Sequence, residues 1–202
     1  IDATDGPVII DEGVVIGAGA SILGPVYIGK DSRISANANI RPGSIFGPAC
    51  NVGGEVVKSI FQGYANKSHG GFIGNSYLGE WVNIGAGTNC SNLKNNYRSI
   101  KVKMNEKVID TGLTHVGVYM GDHCKTGIGS KINGGLTFGL ACSIVSNELL
   151  QRNIPSFSFI YNDIKSKYLI DKFLETAEIV MNRRQILLTD AIKTLYDTIY
   201  IE

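Results

Sequence analysis

Apolar side chains recur at every sixth position over residues 10–52. Four residues after each of them comes a small or β-branched residue. A six-residue period is typical of a parallel β-helix, in which every coil supplies short strands and stacks on the coil before it. The sequence therefore predicts an all-β solenoid, and one inward-facing position is shared by Ile10, Ile16, Ile22, Ile28, Ile34, Ile40, Phe46 and Val52.

The period is interrupted twice. Residues 58–72 lose the strict phase and are rich in glycine and polar residues, which predicts a loop or an irregular corner. Residues 89–115 break the period completely and predict a long inserted loop, with two short strands near 99–103 and 107–110. The solenoid is expected to resume over residues 116–144.

The apolar pattern changes after Pro155. A short extended segment comes first, and from residue 164 apolar residues recur at intervals of three and four. This spacing predicts two helices, over 164–186 and 190–200, with Thr189 and Asp190 as N-cap candidates of the second. We expect these helices to cover the open sheet edge of the last coil or to dock on a neighbouring subunit.

A chain of 202 residues is long enough for one large domain with an appendage. The two patterns divide it into a β-helix domain over 1–155, containing the inserted loop, and an extended and helical segment over 156–202. Because the chain begins at Ile1, we expect a fragment or a processed product, with any upstream domain lying outside it.

Charge is nearly balanced, with a formal net charge of +1 and 18% charged residues. The chain has no basic stripe typical of nucleic-acid binding and no basic amphipathic segment. Its apolar runs are shorter than the ~20 residues of a membrane-spanning helix, and it shows no secretory signal. These features predict a cytoplasmic protein that binds neither nucleic acid nor a membrane.

The four cysteines form no CxxC pair, so the common zinc and thioredoxin-like patterns are absent. Cys124 and Cys142 are one full coil apart. Stacked strands lie ~4.8 Å apart, which would bring the two thiols near disulfide distance. The alternative, favoured for a cytosolic protein, is that the cysteines are reduced, buried side chains.

Two segments carry more than the repeat, NIRPG at 39–43 and SHGGFIGNSYLGEWVNIGAGTNCSN at 68–92. Through them residues 8–145 resemble the acetyltransferase domain of the bifunctional glucosamine-1-phosphate acetyltransferase and N-acetylglucosamine-1-phosphate uridylyltransferase. The resemblance is greatest to a sugar-nucleotidyltransferase-like variant of that family. It implies a left-handed β-helix, a homotrimer, and a preceding nucleotidyltransferase-like domain that this chain lacks. The motifs shared with the variant are GGEV, NKSHGGFIG, WVNIGAGT, SNLKNNY and GDHCKTGIG.

His69 is the candidate catalytic base, because the resemblance places the family's base at this position. An amine must be neutral to attack a thioester, and an imidazole with a pKa near ~6.5 is suited to removing its proton. A histidine in a glycine-rich turn can also be a polar loop residue without a chemical role.

Four further residues match substrate-binding positions of the family. Arg41 matches an arginine that holds the sugar phosphate, and a planar guanidinium pairs with two phosphate oxygens at once. Lys58 matches a phosphate-binding lysine. Asn83 and Asn92 match asparagines that contact the sugar, and an amide offers both a donor and an acceptor. A solvated coil face or an exposed turn would carry the same residue types.

The resemblance also implies acetyl-CoA as co-substrate and no metal. Ala86 lies between two glycines, where a backbone N–H can stabilise the oxyanion of the attacked thioester. The alternative is that these glycines only form a corner of the coil. Asp122 and Leu140 match coil positions that line the coenzyme A groove. Contacts there are expected to be mainly with the backbone.

The chain departs from the family pattern near the predicted site. Phe72 and Leu93 replace two tyrosines, and the lysine of the inserted loop has only Lys94 and Arg98 as candidate counterparts. These replacements remove polar groups that contact substrate, which puts glucosamine 1-phosphate as the acceptor in question.

Three functions follow from these observations. The favoured one is an acetyl-CoA-dependent N-acyltransferase that modifies an amino-sugar phosphate or nucleotide sugar in nucleotide-sugar biosynthesis, as part of a sugar nucleotidyltransferase. The second is a non-catalytic β-helix that trimerises and regulates a sugar-1-phosphate nucleotidyltransferase. The third is a zinc carbonic anhydrase built from His69, His115 and His123. It is disfavoured because His115 and His123 lack that family's spacing and His123 is expected on a turn.

Overall fold

The structure is a computed structural model that describes residues 1–104, 107–151, 153–162 and 164–201. The chain winds into a parallel β-helix with three faces, followed by two helices. This confirms the predicted fold class, an all-β solenoid of hexapeptide repeats with a C-terminal helical appendage.

Each coil contributes short strands to the three faces, and the strands of one face pair in parallel with those of adjacent coils. The first face contains Val8–Ile10, Val26–Ile28, Ser44–Phe46, Ile60–Phe61, Tyr77–Leu78, Tyr119–Met120 and Thr137–Phe138. The second face contains Val15–Ile16, Arg33–Ile34, Asn51–Val52, Asn66–Lys67, Lys125–Thr126, Ser143–Val145, Ser158–Tyr161 and Ile164–Lys167, with Asn83 bridging its two halves. The third face contains Ser21–Ile22, Asn39–Ile40, Glu55–Val57, Phe72–Gly74, Asn89–Cys90, Lys131–Ile132 and Leu149–Leu150.

Three corners join the faces in every coil. In the coil that contains His69, the first corner (residues 62–65) leads from the first face to the second. The second corner (residues 68–71) leads from the second face to the third, and the third corner (residues 75–76) leads back to the first face. These three names are used below for the equivalent turns of all coils.

The coils differ in length, and the difference lies in the corners. Where the hexads are unbroken, Ile28 pairs with Phe46, a step of 18 residues. The next pair on the same face, Phe46 with Phe61, is a step of 15 residues. Of the two expectations for residues 58–72, the loop is wrong, because the strands persist, and the irregular corner is confirmed, because shortened corners change the phase. The strands within that segment are Ile60–Phe61, Asn66–Lys67 and the start of Phe72–Gly74.

The insertion is shorter than the expected 89–115. Asn89–Cys90 is a strand of the third face, so the solenoid continues through it. The chain leaves the solenoid after Asn92, whose carbonyl accepts a hydrogen bond from Val116 N at 2.9 Å where the solenoid resumes. Residues 105–106 lie outside the described part. The predicted strands of the insertion are confirmed as an antiparallel pair, Lys101–Met104 with Lys107–Asp110.

Inward side chains form one continuous core along the solenoid. Ile22, Ile28 and Phe46 are fully buried, and a buried aliphatic or aromatic side chain of this size contributes roughly 1.5–3 kcal/mol. Ile10 and Ile16 occupy the same position but are 39% and 36% exposed, because among the described residues no further coil covers the first one.

The solenoid extends beyond residue 144. Ser158–Tyr161 pairs in parallel with Ser143–Val145, and Ile164–Lys167 then returns antiparallel to Ser158–Tyr161. The helix predicted to begin at residue 164 is therefore wrong at its start, since this segment is a strand. The strand occupies the sheet edge that the helices were expected to cover.

Helix α1 spans Ile170–Asn182 and helix α2 spans Asp190–Ile201. The predicted N-cap of α2 is present, because Thr189 Oγ1 accepts a hydrogen bond from Ile192 N at 3.4 Å. In the described chain, neither helix is long and apolar enough to cross a membrane. Both helices pack along the first corner of several coils rather than over the last coil. The aromatic cluster they form there contains Trp81, Ala141, Phe157, Phe173, Ala177, Met181, Leu188 and Tyr196.

His123 lies inside this aromatic cluster and is only 2% exposed. Its ring stacks on Trp81 at 6.0 Å and meets the ring edges of Phe173 and Tyr196 at 5.4 and 5.6 Å. Neither ring nitrogen has a hydrogen-bond partner among the described residues. Burial, with a smaller effect of Lys125, lowers the pKa of His123 from 6.5 to about 3. The expectation that His123 lies on a turn is confirmed, but the helices cover this corner, so the ring is buried instead of exposed to solvent.

All four cysteines are buried free thiols, which confirms the expectation of reduced, buried side chains. Cys124 Sγ donates to Gly139 O at 3.0 Å and Cys142 Sγ donates to Pro155 O at 3.2 Å. Burial raises the pKa of Cys50 to about 11 and that of Cys90 to about 12, so these thiols remain protonated.

Replacing His123 with phenylalanine should remove a component of the pH dependence of folding. The folded-state pKa of about 3 lies below the unfolded value of 6.5, so the unfolded state binds the proton preferentially between them. Stability contributed by the neutral ring is complete above pH 6.5 and falls towards pH 3, with a limiting slope of about 1.4 kcal/mol per pH unit. Urea unfolding at several pH values measures this slope.

The matched control is His115→Phe, since His115 is exposed. The difference in unfolding free energy between wild type and His123→Phe should change more steeply with pH than the difference between wild type and His115→Phe. Equal slopes for all three proteins would contradict the buried neutral imidazole.

Candidate functional site

His69 is exposed on the second corner, at residues 68–71. Ser68 fixes the start of this corner, since its Oγ donates to Asn66 Oδ1 at 2.5 Å. Gly71 ends it with a φ of +114°, a backbone conformation that side chains rarely adopt. The imidazole therefore projects to solvent from a turn whose ends are both fixed.

Lys67 lies directly before this corner and is fully buried. It occupies the inward position that Val52 fills in the preceding coil. Its Nζ donates to the carbonyl of His69, to Gly70 O at 3.1 Å and to Gly53 O at 3.3 Å. Of the described residues, no carboxylate forms an ion pair with it, and burial lowers its pKa from 10.5. The ammonium thus ties the peptide units around His69 to the coil below.

A glycine pair in that preceding coil makes room for the His69 corner. A Cβ at Gly53 would lie 2.1 Å from Ser68 O, and a Cβ at Gly54, with φ +69°, would lie 2.5 Å from Gly71 O. Side chains at either position would therefore push the two corners apart. The Lys67 ammonium fills the space that remains between the two stacked corners. A Cβ at Gly54 would lie 3.0 Å from its Nζ.

The third face separates His69 from Arg41. Phe72 and Glu55 are register partners on this face, and Glu55 Oε1 accepts from Arg41 Nη1 at 3.0 Å. Both side chains of the ion pair remain substantially exposed, at 51% and 39%, and pairs of this kind contribute about 0–1 kcal/mol. A phosphate can therefore replace Glu55 as the partner of Arg41 at little cost.

The third corner brings three predicted substrate residues together. Arg41 lies there next to Pro42, whose carbonyl accepts a hydrogen bond from Lys58 N of the following coil at 3.3 Å. Lys58 is exposed. Asn92, two coils further on, donates from its Nδ2 to Asn75 Oδ1 at 2.7 Å. Arg41, Lys58 and Asn92 thus follow one edge of the solenoid, on the far side of the third face from His69.

The other predicted residues lie around the second face. Asn83 is exposed on it, and its Oδ1 accepts from Asn66 Nδ2 at 2.6 Å. Ala86 is half-buried in the second corner of the coil that follows His69. His69, Asn83 and Ala86 therefore lie near one another.

Asp122 and Leu140 lie at the first corner, on the opposite edge of the second face from Ala86. Asp122 Oδ1 accepts from Glu80 N at 2.8 Å, and burial raises the pKa of its carboxyl. Leu140 packs against the aromatic cluster under the helices. Within one chain, these two residues and Ala86 do not line a common groove.

The residues that depart from the family pattern lie on the third face and in the insertion. Phe72 is half-buried on the third face, and Leu93 pairs with His115 at the base of the insertion. Lys94 Nζ donates to a backbone carbonyl of the insertion, Ser99 O, at 2.8 Å. Arg98 is exposed.

The three histidines of the zinc hypothesis lie at separate places in the chain. His69 is at the second corner, His123 is buried at the first, and His115 is exposed at the base of the insertion. Across the described residues, no group of three or more histidine, cysteine or acidic side chains is arranged to hold a metal ion.

Sequence reasoning missed Lys67, Arg183 and Arg184. Lys67 would have been found by allowing one shorter coil, since it then falls on the inward position of the repeat. The two arginines follow helix α1 and face the second face across a cavity. The sequence gives no signal for that contact, because it depends on how the helix docks.

Comparison with known proteins defines the family. The family model "Bacterial transferase hexapeptide (six repeats)" matches residues 7–42. The bifunctional sugar-1-phosphate nucleotidylyltransferase/acetyltransferase of Sulfurisphaera tokodaii is 35% identical over 151 residues, covering 74% of this chain. The bifunctional protein GlmU of Methanocaldococcus jannaschii is 34% identical over 158 residues, covering 77%. The chain spans 38% of the length of each of these relatives.

Among solved structures, the N-acyltransferase AntD from Bacillus cereus, in complex with dTDP and 3-hydroxybutyryl-CoA, is 15% identical, with a TM-score of 0.49. The match covers 88% of this chain and 90% of that one. From the sequence relatives and the repeat, the protein belongs to the hexapeptide-repeat transferase family, as the resemblance predicted.

Replacing Lys67 with methionine should loosen the His69 corner. The change keeps an unbranched side chain one atom shorter than lysine but leaves the carbonyls of Gly53, His69 and Gly70 without this donor. Buried groups left without a partner cost about 1–3 kcal/mol, so the free energy of unfolding should fall by that amount in urea titrations. Amide hydrogen exchange at residues 69–71 should become faster.

Lys131→Met is the control, because Lys131 is an exposed lysine of the third face that donates only to Asn147 O among the described residues. It should change the unfolding free energy by less than about 0.5 kcal/mol. If Lys67→Met were as stable as wild type, with unchanged exchange at residues 69–71, the ammonium would not be what holds the corner.

Proposed function

We propose that the protein is an acetyl-CoA-dependent N-acyltransferase that acts on the amino group of a sugar phosphate or nucleotide sugar, in nucleotide-sugar biosynthesis. The observation that carries this proposal is the exposed imidazole of His69 on a corner fixed by the buried Lys67 ammonium. The names of the two relatives, each bifunctional and one a nucleotidylyltransferase/acetyltransferase, support the same chemistry.

In the proposed reaction His69 removes a proton from the ammonium or attacking amine of the acceptor. The nitrogen lone pair forms a bond to the thioester carbonyl carbon, and the C–S bond breaks as the oxyanion collapses. Coenzyme A leaves as a thiolate that takes up a proton, and the products are an amide and a free thiol. The backbone around Ala86, next to the His69 corner, is suited to stabilising the oxyanion with an N–H donor.

Substrate positioning is assigned to two surfaces. Arg41, Lys58 and Asn92 at the third corner supply charge and hydrogen bonds for a phosphate and sugar hydroxyls. Asn83 on the second face supplies an amide. Because the third corner and Asn83 face different directions in one chain, we propose a homotrimer in which the third face of one copy meets the second face of its neighbour.

Phe72 favours a second candidate, a non-catalytic β-helix that assembles and regulates an upstream nucleotidyltransferase. Phe72 offers no hydroxyl to a substrate at a position where the family pattern has a tyrosine. This candidate requires neither acetyl-CoA binding nor a role for His69, so a transfer assay separates the two.

Replacing His69 with alanine should reduce acetyl transfer by about 10²–10⁴-fold, the usual contribution of a general base. The assay follows thiol release from acetyl-CoA with glucosamine 1-phosphate and with other amino-sugar phosphates as acceptors. His115→Ala is the control, since it removes another exposed histidine and should retain wild-type turnover.

Full activity of His69→Ala would exclude this residue as the base. Absence of thiol release from wild type with every acceptor, together with no heat of acetyl-CoA binding at millimolar concentration, would favour the non-catalytic candidate.

A shared site predicts complementation between two inactive variants. His69→Ala and Arg41→Ala should each be impaired, but mixed trimers contain interfaces with an intact His69 from one copy and an intact Arg41 from the next. Dissociating and reassociating the two variants together should therefore restore a measurable fraction of wild-type turnover. Sedimentation should show a mass of three chains of 21.7 kDa.

Each variant taken through the same procedure alone is the control and should stay impaired. Mixed trimers that form, as shown by differently tagged chains, but regain no activity would contradict a site shared in this way. A monomeric mass for wild type would contradict the trimer itself.

A further inference from the structure

A cavity of about 280 Å³ lies between the end of helix α1 and the second face. Three stacked asparagines, one from each of three successive coils, form its floor. Three cationic side chains and a pair of aromatic rings form its walls. These lining groups are Asn51, Asn66, Asn83, Lys125, Arg183, Arg184, Tyr64 and Trp81.

The cavity carries a local excess of positive charge in a chain whose formal net charge is only +1. Among the described residues no carboxylate lines it, and none forms an ion pair with Arg183 or Arg184. Lys125 Nζ donates to a backbone carbonyl, His123 O, at 3.2 Å. The end of helix α1 contributes only about half a negative charge, so the three cations dominate the potential.

The asparagine floor is oriented by a chain of hydrogen bonds that starts at the His69 corner. Ser68 Oγ donates to Asn66 Oδ1 at 2.5 Å, and Asn66 Nδ2 donates to Asn83 Oδ1 at 2.6 Å. Both amide oxygens are therefore engaged within the floor. The Asn83 amide group is left with its N–H donors for a ligand, which adds neutral donors to a cationic cavity.

We propose that this cavity binds a phosphoryl anion, either a phosphate monoester or a pyrophosphate group, of one of the two reactants in the acyl transfer. The inference rests on the proposed function and adds to it a phosphoryl site separate from Arg41. Guanidinium groups bind phosphate oxygens in pairs, and Arg183 and Arg184 line the cavity without carboxylate partners among the described residues, whereas Arg41 is paired with Glu55. The amide chain from Ser68 connects the site to the corner that carries His69.

The chain has a single tryptophan, Trp81, and it lines the cavity with its ring stacked 4.2 Å from Tyr64. Tryptophan emission therefore comes from a single residue that lines this cavity. Titration of the intact protein with pyrophosphate should give a saturable change in tryptophan emission, and calorimetry should give the same dissociation constant. Because binding is largely electrostatic, the constant should rise with salt concentration.

The test variant is Arg183→Gln combined with Arg184→Gln, which keeps hydrogen-bond donors but removes two charges. It should weaken pyrophosphate binding at least tenfold. Lys172→Gln, on the same helix and paired with Glu175, is the matched control and should bind as wild type does. Circular dichroism and the thermal midpoint check that both variants fold.

Two reactants could supply the phosphoryl group, and competition separates them. Coenzyme A, dephospho-coenzyme A and glucosamine 1-phosphate are each titrated against bound pyrophosphate. Displacement by coenzyme A forms assigns the site to the co-substrate, and displacement by the sugar phosphate assigns it to the acceptor. The double variant should then raise the KM of that reactant at least tenfold while changing kcat much less.

Pyrophosphate binding that is undetectable by both methods at millimolar concentration, or that is unchanged in the double variant, overturns the proposal. The outcome is distinguishable from failure of the proposed function. If His69→Ala abolishes transfer while the double variant leaves binding and both KM values unchanged, the acyltransferase stands and the phosphoryl site falls. If the double variant loses pyrophosphate binding but wild type releases no thiol from acetyl-CoA with any acceptor, the phosphoryl site stands and the acyltransferase falls.

Discussion

Hydrogen bonding between successive coils is the constraint on which the rest of this structure depends. Each short strand is fixed by the strand of the coil before it, so residues such as Ile28, Phe46 and Phe61 form one inward column despite unequal steps along the chain. A strand of two or three residues cannot change length without losing this column. Variation is therefore confined to the corners, and the candidate chemistry is found there or beside them.

The corner of His69 shows how this constraint positions a functional group. Gly53 and Gly54 let two corners stack closely, and the Lys67 ammonium binds three carbonyls in the remaining space. A buried ammonium is costly, by several kcal/mol, and it is tolerated here only because those carbonyls replace its water. The arrangement places a hydrogen-bonded ammonium where the preceding coil has the apolar Val52, and it fixes the backbone under the exposed imidazole.

Much of the fold was predictable because the hexad is a local signal. The inward positions through Val52, the hairpin of the insertion and helix α2 followed from spacing and caps. Lys67 did not, because a fixed period of six places it out of phase once a corner is shortened. The strand Ile164–Lys167 was missed because it forms to pair with an open sheet edge, and pairing of that kind overrides helical spacing.

The candidate site, like the fold, was predictable only where the signal in the sequence is local. The residues His69, Arg41 and Asn83 were named from motifs, but their distribution over different faces depends on the number of residues in each coil. The burial of His123 and the cavity beside Arg183 depend on where the helices dock, and amphipathic spacing identifies only which side of a helix is apolar. Local patterns thus identified candidate groups, while their mutual placement required the three-dimensional structure.

The insertion after Asn92 has a consequence for how this family can diversify. Leu78 pairs with Met120 across it as if the two coils were consecutive. Closing this longer segment instead of an ordinary coil costs only about 0.8 kcal/mol of chain entropy. The excursion can therefore lengthen, shorten or change its composition without disturbing the rungs on either side, and selectivity for different acceptors can evolve there while the imidazole-bearing turn stays unchanged.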